Sequence, residues 1–310
     1  MNNNFSGKLV KVLFDFMEHT KTIPILLMYS PEAIMDNEDV DAFYRVINRT
    51  NSEFKNMLDK LNEEVKKEKQ KSKVRKVIST LENAKGKISL ILHSRGGFIE
   101  PAYQMVKIVR NIFSEYFVYI PREAKSAATL LALGADRIYL TQIGELGPID
   151  PIVSHPYDHT LMIPARAVKD FLERTLPNLI KTYGDQVADY MLKIDYAHVG
   201  FCIQSTNSAK EYAKRVLIKY GLKSIKSEEE RKRRAEEIIN SLMSYPVHDF
   251  VIDYEEAKKI GLNVELVGDT VEQRLWDIYY LAKKMLKEKQ VIIRSPVYEE
   301  FIPKPRISVW

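Results

Sequence analysis

The chain contains a single cysteine, Cys202, among its 310 residues. One cysteine excludes an internal disulfide framework and any cysteine-clustered metal site, and it fits the reducing environment of the cytosol. Cys202 stands in an apolar run, which indicates a buried structural thiol and not a reactive one. We therefore expect neither thiol chemistry, nor a metal site, nor a cofactor.

Long apolar runs are also missing. No stretch reaches the roughly 18 to 20 uninterrupted apolar residues that are needed to span a bilayer. The richest early segment, Ile23–Tyr29, has the length of a strand and contains Pro24. The first residues show no basic head followed by a long apolar stretch and a small-residue cleavage site. We expect a soluble, cytoplasmic protein; the alternative is peripheral membrane association through the lysine-rich stretches.

The chain has little excess charge. Its 47 basic and 42 acidic residues leave a formal net charge of +5, which is too small for the electrostatic footprint of a dedicated nucleic-acid binder. We therefore expect no nucleic-acid partner. With 45% hydrophobic residues, a chain of this length can bury the core of one large α/β domain.

What the sequence does contain is a central alternation of strands and helices at βαβ spacing. This order predicts parallel strands joined by right-handed crossovers. Its predicted elements are a strand at 87–92, a turn at 93–98, a helix at 100–113, a strand at 116–120, a helix at 126–134 and a strand at 137–140.

The flanking regions complete one α/β domain, 1–310, with helical termini. Apolar residues at helical spacing predict a long helix over 52–84 and a helical insertion over 165–245. The last residues, 289–310, are expected to be an irregular tail. The remaining predicted elements are a strand at 23–29, helices at 39–48, 255–260 and 271–288, and a strand at 263–267.

Ser126 and the pair Gly96-Gly97 carry the chemical signal. Ser126 stands between a loop and an apolar helix, where a serine serves either as an N-cap or as an acyl-transfer nucleophile. In the second interpretation the amide of Ala127 faces the developing oxyanion at the helix start. The glycines follow a strand, and they permit a backbone amide to turn toward a substrate carbonyl, although paired glycines also occur in plain turns. The spacing is not the Gly-x-Gly-x-x-Gly dinucleotide fingerprint.

The motifs together resemble a known family. The turn His93-Ser94-Arg95-Gly96-Gly97 and the run Ala124-Lys125-Ser126-Ala127-Ala128-Thr129 are similar to the core of ClpP-class serine peptidases. Within that class they look closest to the serine dehydrogenase proteinase family, a relative of signal peptide peptidase A. The segment Leu146–Pro151 and the run from His248 to Leu262 resemble two further family segments.

The resemblance implies a ClpP/crotonase-like fold, Ser126 as nucleophile, and Gly96, Gly97 and Ala127 as oxyanion donors. It also implies assembly into a homo-oligomer. Arg95 departs from the family pattern, in which proline usually precedes the glycine pair.

The general base stays open at this point. The position that matches the ClpP histidine falls close to Asp150, where no histidine stands, and His155 follows a few residues later. The lysine of the signal peptide peptidase relatives falls near Arg166, which cannot accept a proton, with Lys169 one turn later. Lys169 is the leading candidate for the base. Lys125 is expected to point elsewhere, and His248 beside Asp249 is a further possibility.

Three functions follow from these residues. The first is a serine peptidase that hydrolyses peptides or unfolded or membrane-derived polypeptides through an acyl-enzyme on Ser126. The second is a catalytically silent oligomeric interaction module of the same fold. The third is a crotonase-type acyl-CoA enzyme, which shares the oxyanion-hole logic but needs no serine nucleophile.

Overall fold

The computed structural model describes residues 2–67, 72–158, 161–184, 187, 195–286, 290–303 and 308–309. Its strands are β1 Ile23–Tyr29, β2 Lys87–His93, β3 Glu115–Ile120, β4 Glu123–Ala124, β5 Arg137–Leu140, β6 Glu145–Leu146, β7 Ile152–Ser154, β8 Leu161–Pro164, β9 Val264–Leu266, β10 Gln290–Arg294, β11 Glu299–Pro303 and β12 Ser308–Val309. Its α-helices are α1 Asn2–Thr20, α2 Asn37–Lys67, α3 Ser72–Ala84, α4 Ile99–Ile112, α5 Ala127–Leu133, α6 Ala165–Asp170, α7 Leu176–Tyr183, α8 Tyr196–Val216, α9 Glu228–Leu242, α10 Tyr254–Lys259 and α11 Asp269–Met285.

The main sheet has seven strands in the order β11-β10-β1-β2-β3-β5-β9. The five strands from β1 to β9 in this order pair in parallel, whereas β10 and β11 are antiparallel additions at one edge. Every residue of β1 is buried, as expected for a parallel strand that is covered on both faces. The predicted α/β fold with repeated βαβ units is confirmed.

Helices cover both faces of the sheet. Leu27 and Leu92 point into the larger core cluster with α2, α4 and α5. Their neighbours Leu26 and Ile91 point into a second cluster, because successive side chains of a strand face opposite sides. This second cluster contains Leu9, Leu13 and Phe16, whose spacing makes one apolar stripe along α1. The result is a three-layer arrangement.

Some element bounds differ from those predicted. The segment from 39 to 67 forms one helix, α2, because nothing in it breaks the helical pattern at 49–51. The predicted long helix 52–84 is therefore divided between α2 and α3, and residues 68–71 lie outside the described ones. Residues 185–186 and 188–194 of the predicted insertion 165–245 also lie outside the described ones. The described part of the insertion is mainly helical, and its helices α8 and α9 add residues to the larger core.

The described part of the predicted tail, residues 290–303 and 308–309, is not irregular. Strand β10 joins β1, and a turn in which the Ser295 hydroxyl accepts the amides of Val297 and Tyr298 leads into β11. Val291, Ile292 and Ile293 are buried. A short apolar run of this kind lacks the length to be recognised as a core strand from sequence alone.

Candidate active site

Two loops that follow neighbouring parallel strands meet at one end of the sheet. Ser94, directly after β2, donates its amide to Glu123 O at 3.1 Å, and the Lys125 amide donates to Ser94 O at 3.0 Å. This bridge places the turn 94–98 against the turn that carries Ser126. The carboxyl ends of parallel strands are where open α/β sheets build their sites.

Ser126 has an uncommon backbone for a side-chain-bearing residue, with φ 52° and ψ −118°. Such a conformation costs about 1–3 kcal/mol and persists only where the surroundings impose it, which is frequent at functional sites. The side chain makes no N-cap hydrogen bond. Its hydroxyl instead donates to the backbone oxygen of Asp150 at 3.2 Å. The simple capping interpretation of Ser126 is therefore wrong.

Gly96 and Gly97 both have positive φ, 103° and 148°. A Cβ on Gly96 would lie 2.8 Å from Ser126 Cβ and 2.7 Å from Lys125 O, so only glycine lets the two turns approach this closely. A Cβ on Gly97 would lie 2.3 Å from the Met35 amide nitrogen. The glycine pair is thus required by packing against the serine on one side and against Met35 on the other.

The backbone amides of this pair have different partners. The Gly96 amide donates to the Ser94 hydroxyl at 3.0 Å. Among the described residues, the amides of Gly97 and Ala127 have no hydrogen-bond acceptor. Of the predicted oxyanion donors, Gly97 and Ala127 therefore have unused N–H groups, and Gly96 contributes by its lack of a side chain.

Asp150, whose backbone oxygen accepts the Ser126 hydroxyl, has its side chain beside His248. Asp150 Oδ2 is 3.8 Å from His248 Nδ1, and the two side chains are 8% and 9% exposed. In the part of the chain that the structure describes, Asp150 Oδ1 and His248 Nδ1 have no hydrogen-bond partner. Since the Ser126 hydroxyl donates to the backbone of the same Asp150, the site contains a serine, a carboxylate and an imidazole.

Lys169 and His155 are not brought to the serine hydroxyl. Lys169 is 47% exposed on α6 and faces Glu173 at 3.8 Å. His155 Nδ1 accepts the amides of Tyr157 and Asp158 within its own loop. Neither side chain has a hydrogen bond to Ser126 among the described contacts. Lys169 does lie in a helix, as predicted, but its side chain is on the exposed side of α6.

Three further basic residues that the sequence singles out, Arg95, Lys125 and Arg166, have defined partners. Arg95 is exposed and faces Glu123 at 3.6 Å. Lys125 is buried and points away from the Ser126 hydroxyl, toward Glu145. Arg166 binds Asp170 at 3.1 Å and the Ser244 backbone oxygen at 3.3 Å.

The sequence did not identify the Asp150–His248 pair. Asp150 is a candidate for its position after Ser126, and His248 for its neighbour Asp249, but no local pattern links the two residues. Tertiary folding brings them together through the Leu146 and Ile252 backbones, which exchange hydrogen bonds of 2.9 and 3.1 Å.

The site holds side chains that can take part in acid–base chemistry. Within the described residues, no group of three or more His, Cys, Asp or Glu side chains could hold a metal ion. No described helix is long and apolar enough to cross a membrane. Ser126 itself is buried in this structure, with 1% exposure.

The chain is similar to several known proteins. Two uncharacterized proteins of Methanocaldococcus jannaschii are 26% and 24% identical over 218 and 212 residues, covering 70% and 68% of the chain. The matches cover 64% and 62% of those relatives, less than two thirds of their length. A mutant of the membrane-bound stomatin-specific protease 1510-N, solved with a substrate peptide, aligns over 86% of both chains with a TM-score of 0.37 and 17% identity.

The family match is broader. The model of the ClpP-like SDH-type serine proteinases matches residues 65–308, which include both glycines, Ser126, Asp150 and His248. That span contains most of the chain and all of the site described above. The chain belongs to the family of ClpP-like SDH-type serine proteinases.

Proposed function

We propose that the chain is a serine peptidase that hydrolyses peptides or unfolded or membrane-derived polypeptides through an acyl-enzyme on Ser126. The observation that carries this proposal is the backbone of Ser126, held at φ 52° at the start of α5 and in contact with the glycine turn. A hydroxyl at a helix start faces free amides and the positive end of the helix dipole. The family membership supports the same reaction class.

In the proposed reaction Ser126 Oγ attacks the carbonyl carbon of the scissile peptide bond. His248 Nε2 accepts the hydroxyl proton, and the amides of Gly97 and Ala127 stabilise the oxyanion that forms. The C–N bond then breaks as His248 returns the proton to the leaving amine. Water hydrolyses the resulting ester by the same route in reverse, which releases the acid and restores the serine.

The assignment of His248 as base, in preference to Lys169, rests on burial and on the orientation of the ring. His248 Nδ1 faces the carboxylate of Asp150, which leaves Nε2 as the nitrogen for proton transfer. The Asp150 carboxylate, 3.8 Å away, then stabilises the imidazolium that forms, as the acid does in Ser-His-Asp triads. Because the Ser126 hydroxyl donates to the Asp150 backbone in this structure, the proposed reaction requires it to turn to His248 when the peptide binds.

The alternatives stay distinguishable. A catalytically silent module is consistent with the buried hydroxyl of Ser126, which donates to the Asp150 backbone and not to a base. The crotonase-type acyl-CoA interpretation has no support from the family match, which is to proteinases. Homo-oligomer formation and a cytoplasmic location stay predictions; exposed Tyr183, Tyr196 and Phe201 on α7 and α8 would suit a contact between copies.

The test of the proposal is proteolysis of an unfolded protein. Fluorescein-labelled casein is incubated with the wild type and with Ser126→Ala at equal concentration, and the products are sized by mass spectrometry. We expect cleavage by the wild type and none by the variant. Equal cleavage by both proteins would place the activity in a contaminant, and no cleavage by either would favour the silent module.

A further inference from the structure

The residue directly before Ser126 is a buried lysine that the proposed reaction does not use. Lys125 is 3% exposed and its Nζ lies 2.9 Å from Glu145 Oε1, with Glu145 14% exposed. The same nitrogen donates to the backbone oxygens of Leu146 and Phe250, each at 3.2 Å. An ammonium has three hydrogens, and these three acceptors use all of them.

The three acceptors belong to the segments that hold the other residues of the site. Leu146 is in β6, and the chain runs from there to Asp150. Phe250 lies two residues after His248, in the loop before α10. Lys125 itself adjoins the nucleophile. One side chain therefore ties together the segments that carry Ser126, Asp150 and His248.

We propose that Lys125 is a positioning residue, whose ammonium fixes the segments of Asp150 and His248 relative to Ser126. This inference rests on the proposed function. Lys125 is not the base, because its three hydrogens are directed to Glu145 and two carbonyls and none to the serine hydroxyl. Its effect on the reaction passes through the backbone of the residues it holds.

The energetics of the pair favour a geometric role. Removing two charges from water costs several kcal/mol per ion, and apolar replacements of buried ion pairs are often as stable as the pair. The Lys125–Glu145 pair therefore contributes little net stability once the desolvation of its two charges is counted. What an apolar side chain could not supply is the link to the Leu146 and Phe250 carbonyls.

Gly147 is shaped to accept this side chain. A Cβ on Gly147 would lie 2.5 Å from Lys125 Cδ and 3.2 Å from its Cα and Cβ. Gly147 does not have a positive φ, so its lack of a side chain serves the passage of Lys125 and not a special backbone. Thr129 Oγ1 holds the same glycine through its amide, at 3.2 Å, and its carbonyl, at 2.9 Å.

The test measures saturable labelling of Ser126 by a fluorophosphonate in the wild type, Lys125→Met, and Lys125→Met with Glu145→Gln. The double variant removes the unpaired buried charge that would destabilise the single variant. We expect a melting temperature near that of the wild type for the double variant. We also expect its maximal labelling rate to fall about 10²-fold, because misplacement by 1 Å costs about that much, while the half-saturating concentration stays within about threefold.

Lys76→Met is the matched control, because Lys76 forms an exposed ion pair with Glu18 at 3.0 Å and, among the described contacts, its side chain has no ion pair or hydrogen bond with a site residue. It is expected to label at the wild-type rate. A double variant that folds and labels within about threefold of the wild type overturns the positioning role. If the double variant does not fold, Gly147→Ala decides: it displaces Lys125 without altering charge, and slowed labelling supports the proposal whereas the wild-type rate contradicts it.

Failure of the underlying function looks different. If the wild type itself is not labelled, the peptidase proposal fails, and the positioning role of Lys125 fails with it. If the wild type is labelled and the variants match it, only the positioning role fails.

Discussion

The carboxylate of Asp150 lies 3.8 Å from the imidazole of His248, and both side chains are almost completely buried. The backbone of the same Asp150 accepts the hydrogen bond of the Ser126 hydroxyl at 3.2 Å. Folding thus brings the acid and the imidazole together, and the backbone of the acid is hydrogen-bonded to a serine whose own backbone is strained. Asp150 and His248, which are distant in sequence, come together because the backbones of Leu146 and Ile252 in their two segments are hydrogen-bonded to each other.

The general base is tested by His248→Gln and Lys169→Met. We expect the fluorophosphonate labelling rate of His248→Gln to fall about 10²–10⁴-fold, the usual contribution of a positioned general base. Lys169→Met is expected to keep the wild-type rate, since that side chain is exposed and paired with Glu173. The reverse pattern, with Lys169→Met inactive and His248→Gln active, would contradict this assignment and identify the exposed Lys169 as the general base.

The glycine turn is tested by Gly97→Ala. The new Cβ would lie 2.3 Å from the Met35 amide nitrogen and 2.4 Å from its oxygen at φ 148°. Backbone strain alone costs about 1–3 kcal/mol, so we expect a lower midpoint in thermal unfolding and loss of labelling. Gly200→Ala is the control, because nothing lies within 4 Å of its Cβ position in α8. Equal thermal stability of both variants would show that the turn tolerates a side chain.

His93 gives the fold a pH dependence in the acid range. Burial, together with Lys283, Arg122 and Arg95, lowers the pKa of His93 from 6.5 to about 4. The folded state therefore binds this proton less readily than the unfolded state. The contribution of neutral His93 to the free energy of unfolding is complete above pH 6.5 and is lost as pH falls toward 4.

The measurement for His93 is urea unfolding of the wild type and His93→Gln at several pH values. We expect the stability difference between them to be constant above about pH 7 and to shrink by up to about 3 kcal/mol toward pH 4. His19→Gln is the control, since His19 is partly exposed near Asp15. A stability difference that does not change with pH would show that His93 keeps its ordinary pKa.

Much of the fold could be predicted from local patterns, and the base could not. The strand Ile23–Tyr29 is predicted correctly from its apolar run. The turn after β2 is predicted correctly from the pair Gly96-Gly97. The C-terminal strands cannot be recognised from the sequence because they are short and depend on distant pairing: β10 pairs with β1, and β11 pairs with β10. The contact between His248 and Asp150 cannot be predicted from local spacing, because it depends on the pairing of the Leu146 and Ile252 backbones, which are distant in sequence.

The central claim is that Ser126 forms a covalent intermediate, and a mapped adduct tests it most directly. Intact-mass spectrometry and peptide mapping are applied to wild type and Ser126→Ala after reaction with a fluorophosphonate. We predict a single phosphonyl adduct on Ser126 in the wild type and no adduct in the variant. An adduct on another residue, or equal modification of Ser126→Ala, would contradict the assignment of Ser126 as nucleophile.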